Sequence, residues 1–243
     1  METNQSGTQG PRLLWLLLVT YTSVILLANW FDIRLISIVG LATDAGTIIF
    51  PFTFLLADLI TEVYGYKYAR RAIWAGFLFN FVFIGYSQLV IHLPSPSYAL
   101  DSNLNFDKLL GFNSRVIVAS TLSYLCAEPL NSYLMAKLKL KTSGKYMSLR
   151  FVLSTLIASG IDSFLFGSMA FASIMPLPEL IKFNASMWLI KVSIEILGLP
   201  ISVILAQKLK RYEKLDTYDE GTNFSLFSLE ASYKAQNNKY AGQ

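Results

Sequence analysis

The sequence predicts an all-α integral membrane protein of six transmembrane helices with both termini cytoplasmic. Three observations predict it. Of 243 residues, 53% are hydrophobic and only 15% are charged, against roughly 25% charged in a soluble domain. A soluble chain of this composition would expose an apolar patch far above the few hundred Å² usually tolerated, which excludes an ordinary soluble enzyme. Six apolar stretches, at 12–31, 45–64, 70–93, 114–137, 149–174 and 184–207, each approach the ~20 residues needed to cross ~30 Å of hydrocarbon. The positive charges between them are also one-sided. Arg12, Lys67, Arg70, Arg71, Lys137, Lys139, Lys141, Lys145, Arg150, Lys208, Lys210, Arg211 and Lys214 fall on one face, and only Arg34, Lys108, Arg115 and Lys182 on the other. Positive loops stay inside, and an even number of spans requires the same placement of the two ends.

The first span is too long and continuous for a signal peptide, and no small-residue cleavage site follows it. Residues 1–11 precede it as a short tail. The second span carries Asp58 and Glu62, the third Asn80 and Gln88, with His92 at its external end. Residues 94–113, with Pro94, Pro96, Asp101, Asn103 and Asp107, read as the longest external loop. The fourth span carries Glu128 and Asn131, the fifth Asp162, the sixth Lys191 and Glu195. Residues 12–210 form the membrane domain. The polar segment 211–243 follows as a tail, expected to be mobile from about 215 on. Three spans per half is an odd number, so halves sharing one fold would be inverted relative to each other, as in many transporters.

At ~1.5 Å rise per residue, Asp162 and Glu195 fall near the midplane, Glu128 slightly inward and Asp58 further in. Each charge at the centre costs roughly 2.5–3.5 kcal/mol, and four or five together about 10–15 kcal/mol. Such a cost implies a shared polar interior. Lys191 and Glu195 stand four apart and can neutralise each other on one helix face. Glu62 can serve as a structural anchor by reaching Arg70 or Arg71. Pro51, Pro129 and Pro200 each remove a backbone donor, and broken helices around a polar centre mark substrate sites. Ser159, Ser163, Gly167 and Ala170 recur at helical spacing and read as a packing face. Phe52, Phe54, Tyr64, Phe77, Phe79, Phe81, Tyr124, Phe164 and Phe166 flank the polar groups, and one or two of them could stack on a flat ligand.

Several chemistries find no support. One cysteine, Cys126, and one histidine, His92, allow neither a disulfide framework nor a zinc site. There is no phosphate-binding G-x-x-x-x-G-K-[ST] loop, no G-x-S-x-G and no H-E-x-x-H. Neither catalysis nor a cofactor is expected, and the basic charge fits membrane orientation rather than nucleic acid.

The stretch PFTFLLADLITEVYGYKYAR, residues 51–70, resembles the signature of the queuosine precursor (vitamin uptake) transporter family, through Pro51, Phe54, Asp58, Glu62, Tyr64, Gly65, Ala69 and Arg70. SGIDSFLFGSMAF, residues 159–171, is similar through Ser159, Asp162 and Phe166, and KVSIEILGLP, residues 191–200, through Lys191 and Pro200. The resemblance implies a six-helix importer of 7-deazaguanine bases in a bacterial inner membrane. The bases include 7-cyano- and 7-aminomethyl-7-deazaguanine or queuine, for tRNA modification. It would act as a secondary transporter or facilitator, with the lipid bilayer as its other partner and a homo-oligomer as an open alternative to a single copy. A substrate-binding membrane subunit energised by separate ATPases is the alternative. A guanine-like edge offers a ring N–H and an amine to a carboxylate, for which Asp162 or Glu128 is suited. It accepts at its carbonyl from Lys191, Asn80 or Asn131. Asp58 and Glu195 complete the expected binding set.

Overall fold

A computed structural model describes residues 11–230 and 232–240; the expected tail 1–11 lies outside it except at its last residue. Helix α1 spans Leu14–Phe31. A two-stranded hairpin follows, β1 Leu35–Ile38 and β2 Leu41–Asp44, then the short α2 Gly46–Ile49 and α3 Pro51–Tyr64. Four long helices complete the bundle: α4 Tyr66–Ile91, α5 Leu100–Lys141, α6 Met147–Phe171 and α7 Leu177–Glu213. With α2 and α3 taken as one span, six helices among the described residues are long and apolar enough to cross a membrane. The chain is a multi-pass membrane protein. The backbone N–H groups of Arg12 and Leu13 donate to the Glu213 carboxylate at 2.9 and 2.6 Å, so the start of α1 and the end of α7 share one face. That face also carries the basic loops.

Helix α3 is the centre of the bundle. It packs against α1, α4, α5, α6 and α7, and twelve of its fourteen residues are buried. The hydrophobic core around it is built from Tyr21, Ile25, Phe54, Ile60, Ile73 and Tyr124. A second cluster, with Phe166, Phe171, Phe183 and Met187, joins α5, α6 and α7 toward the opposite face. Ser159, Ser163 and Ala170 are buried, and α6 lies between α5 and α7, so the small face packs as expected. Among the aromatics, Phe54, Tyr64, Tyr124 and Phe166 are buried, whereas Phe52, Phe79, Phe81 and Phe164 face outward.

Three expectations need correction. Residues 100–113 are not loop: they form the first turns of α5, which runs unbroken for 42 residues, about 63 Å at 1.5 Å per residue. Asp101 in its first turn favours that start electrostatically. Pro129 and Pro200 do not break their helices, which continue through both; Pro51 alone marks a junction, between α2 and α3. The segment between the first two spans is a hairpin whose Val39 and Gly40 both have positive φ, as a tight two-residue type I′ turn requires.

The described part of the tail from residue 215 is not loose. It is strapped across the basic face. Thr217 N–H donates to the Val63 carbonyl at 3.2 Å. Asp219 caps the start of α4 by accepting from Tyr66 N–H at 3.1 Å, and Tyr233 Oη accepts from Lys67 N–H at 2.9 Å. The Arg70 guanidinium donates to the carbonyls of Asn223, Ser225 and Glu230, and Trp74 Nε1 to that of Leu226. Gly65, at the elbow between α3 and α4, has φ 89° and ψ 169°, a region essentially reserved for glycine. A Cβ there would also collide with the Tyr233 hydroxyl and Thr217.

Candidate functional site

The expected polar residues do converge, as a file of buried groups running through the bundle. Toward the hairpin side, Lys191 of α7 donates to Asp162 Oδ2 of α6 at 2.6 Å, and Ser123 of α5 donates to Asp162 Oδ1 at 2.8 Å. Asn29 of α1 donates to Asn80 of α4 at 2.9 Å and accepts from Ser120 at 2.6 Å. In the middle, Asn131 donates to Asp58 Oδ1 at 2.8 Å. Glu128 stands beside Thr53 and Tyr21, and Glu195 beside Thr155. Both carboxylate oxygens of Glu128 and of Glu195, and Oδ2 of Asp58, are buried with no hydrogen-bond partner among the described residues. Each such atom costs about 1–3 kcal/mol or more where nothing answers it, and the hydroxyls of Thr53, Tyr21 and Thr155 are the groups nearest to answering the two glutamates.

Toward the basic face the file ends in a charge hub. The Glu62 carboxylate holds Arg150 through two contacts of 3.0 Å and Lys210 at 2.6 Å. Lys139 lies 3.8 Å from it, and Lys139 and Lys210 both reach Asp216 at 2.7 Å. The expected partner Arg70 is turned away to the strap, because the α3–α4 elbow points the two side chains apart. Burial opposes ionisation of Asp216, but the two ammonium groups win and hold its carboxyl below the ordinary range. Tyr64 donates to Glu213 at 2.9 Å. Of the signature residues, Pro51, Asp58 and Glu62 thus lie on α3, Gly65 at the elbow, and Tyr64 and Arg70 secure the basic face.

The pairing expected between Lys191 and Glu195 is replaced by Lys191 with Asp162. Helical spacing places Lys191 and Glu195 on one face of α7, but α6 presents a carboxylate directly opposite Lys191. This pair adjoins a small cavity of about 10 Å³, lined by Asp32, Asp44, Thr47, Phe50, Ser120, Asp162, Phe166 and Lys191. Lys191 Nζ lies 4.5 Å from the centre of the Phe50 ring, a cation–π distance. Larger hollows exist at the surface, such as the groove of Arg70, Trp74 and Phe227 on the strap, but they gather no comparable set of buried charges.

Asp32 and Asp44 escaped the sequence reading, since both lie in the connection between spans, where a charge raises no alarm. Both are buried, at 3% and 1% exposure. The signal was present as two acids bracketing a short β-branched, glycine-turned segment. Asp44 accepts from Thr47 N–H at 2.7 Å and Thr47 Oγ1 at 2.8 Å. The close approach of Asp32 explains Gly46, where a Cβ would strike the Asp32 carboxylate. Burial and the adjacent Asp44 push the Asp32 carboxyl well above the ordinary range, while Lys191 pulls it back.

No group of His, Cys, Asp and Glu among the described residues could hold a metal ion. Chemically the site offers an acceptor and a donor side by side, two aromatic rings and an acidic pair.

Residues 44–205 match a protein family described as "Putative vitamin uptake transporter". The chain is 27% identical to the "Probable queuosine precursor transporter" of Bacillus subtilis (strain 168) over 176 residues, covering 71% of this chain and 76% of that one. It is 30% identical to the "Queuosine precursor transporter" of Escherichia coli (strain K12) over 137 residues, covering 55% of this chain and 59% of the other. No solved structure matches.

Proposed function

We propose a transport cycle for this chain from one premise: it belongs to the vitamin uptake transporter family. The solute is a queuosine precursor, a 7-deazaguanine base, taken up across a bacterial inner membrane with the basic face in the cytoplasm. The observation that carries the reading is the buried Asp162–Lys191 pair beside Phe50, Phe166 and the void.

In the empty pocket the carboxylate and the ammonium satisfy each other. A guanine-like edge can replace that internal pair without leaving either charge unanswered. Asp162 accepts from the ring N–H and the exocyclic amine, and Lys191 donates to the carbonyl. Phe50 and Phe166 supply the apolar walls for the ring system. The exchange is close to neutral, which suits a site that must both capture and release.

The cavity beside the pair is only about 10 Å³, against roughly 300–1,000 Å³ for ordinary ligand pockets, so binding and passage both require the helices to move apart. On the hairpin side, β2 lies against α7, and its displacement would widen the pocket outward. On the basic face, the Glu62 hub and the strap close the path. Alternating access then consists of opening one barrier while the other holds, with Glu128, Glu195 and Asp58 along the route. Metabolic trapping of the base inside would give net uptake without an ion gradient.

The test is uptake of labelled 7-deazaguanine bases by the full chain alone in proteoliposomes, and by cells unable to make them. Import without an ATPase, lost in Asp162→Asn once uptake is normalised to membrane abundance, is the expected result. Dependence on an ATPase, or undiminished uptake by Asp162→Asn, would refute it.

A further inference from the structure

We infer that the strap docks on the lipid leaflet at the basic face, inserting Phe227 and Leu229 into it and holding an anionic phospholipid headgroup in the groove beside Arg71. The inference requires only that the bundle spans a bilayer, whatever solute it carries. The family match ends at residue 205, so that relation says nothing of the strap.

The register of α4 sets the level of this surface. Arg71, Trp74, Leu78 and Val82 follow one another at the spacing of a single helix face. Leu78 and Val82 are 57% and 54% exposed, and in a membrane-spanning helix such a face meets hydrocarbon. Arg71 precedes Leu78 by about 10 Å along the axis, which places its guanidinium among the headgroups. Trp74 lies between them, at the interface where indole rings concentrate.

The strap is carried to that face and fixed there. Arg70 donates to the carbonyls of Asn223, Ser225 and Glu230, and Trp74 Nε1 donates to that of Leu226. The Phe227 ring lies 5.9 Å from the ring of Trp74. Phe227 nonetheless stays 78% exposed and Leu229 96%, so the backbone bonds hold two large apolar side chains outward. In water that exposure is unfavourable. At the level of Trp74 the same side chains enter the acyl boundary, and the gain grows with the apolar area covered. Between strap and helix lies a groove of about 400 Å³. Two guanidiniums, Arg70 and Arg71, line it with one acid, Glu230, and that acid is paired with Lys67 at 3.0 Å. Arg71 is exposed, with its guanidinium 5.0 Å from the centre of the Tyr68 ring. Apolar insertion beside an excess of positive charge is the pattern of attachment to anionic lipid, and the planar guanidinium matches the phosphate oxygens of a headgroup.

The test places an environment-sensitive fluorophore on the strap of the full chain. Leu229→Cys is labelled in a Cys126→Ser background, which removes the chain's own thiol. Vesicles contain phosphatidylcholine alone or phosphatidylcholine with phosphatidylglycerol added. The emission is expected to be blue-shifted, to be quenched by nitroxide-bearing lipid rather than by aqueous iodide, and to shift further as phosphatidylglycerol is added. In Arg71→Gln, the amount of phosphatidylglycerol giving half of that further shift should rise about fivefold, the worth of one basic residue at an anionic surface. Arg71→Lys should keep the response. So should Lys141→Gln, which removes an exposed charge of the same face outside the groove. Water-like emission quenched by iodide in both vesicles would overturn the inference, as would a response indifferent to phosphatidylglycerol or to Arg71→Gln. A shift that appears in detergent and grows with protein concentration would assign the surface to a second copy of the chain and equally overturn it. Neither Arg71 nor Leu229 lies on the proposed transport route, so failure here leaves that reading standing, and failure of uptake leaves this one.

Discussion

Individual side chains divide into those that hold the bundle and those proposed to meet the solute. Glu62 belongs to the first group. Removing its charge strands Arg150 in a buried setting, while Lys210 keeps only Asp216; breaking such a buried pair costs about 3–5 kcal/mol. Glu62→Gln is therefore expected to lower the unfolding temperature and membrane abundance, with little change in half-saturation for the molecules that remain. Asp162 and Lys191 belong to the second group. Each single neutralisation leaves one buried charge alone, so Lys191→Met and Asp162→Asn both destabilise. The double variant should recover abundance without recovering uptake, which immunoblotting and transport measured together would reveal. The sequence made Asp162, Lys191, Glu195 and Glu128 legible because charges are rare in apolar runs. It misassigned the partner of Lys191, since spacing within a helix says nothing about what the next helix presents. Glu62 shows the same limit: Arg150 and Lys210 lie 88 and 148 residues away.

Helices and connections show a similar boundary. The apolar runs gave all six spans, but the hairpin of 35–44 was invisible to windows of about 20 residues, as were Asp32 and Asp44 at its ends. The prolines were overread because a single missing donor in a long membrane helix is accommodated locally. The strap was overlooked because its composition is polar, yet polar residues are what the exposed helix ends at the α3–α4 elbow need. Gly65→Ala is expected to destabilise by about 1–3 kcal/mol from backbone strain alone, and more once Tyr233 is displaced. Ending the chain after Lys214 removes Asp216, the Asp219 cap and the acceptors of Arg70. Unfolding should then occur at least about 5 °C lower. Asp216 also sets an acid limit. Its carboxyl is lowered in the folded state, so its contribution is complete above the ordinary carboxylate range. The contribution is lost as pH falls through the lowered value. Scanning unfolding temperature from pH 6 to pH 3 should show a steeper decline in the full chain than in Asp216→Asn.

The molecule as a whole is a bundle wrapped around α3, with a polar file closed by a hairpin at one end and a charged hub at the other. Its fold class followed from composition, periodicity and charge asymmetry, which are properties of the solvent it must live in. The arrangement of the polar residues followed only in outline, because their meeting depends on helix rotations that no single helix encodes. The family relation makes the chain a transporter, and the buried pair is the proposed means of binding its solute. The most direct measurement is import of labelled 7-deazaguanine base into proteoliposomes containing this chain alone. The wild type should accumulate the base until inside and outside concentrations match, and the Asp162→Asn/Lys191→Met variant, present at equal density, should admit none above the empty vesicles. Equal import by the two proteins would contradict the account.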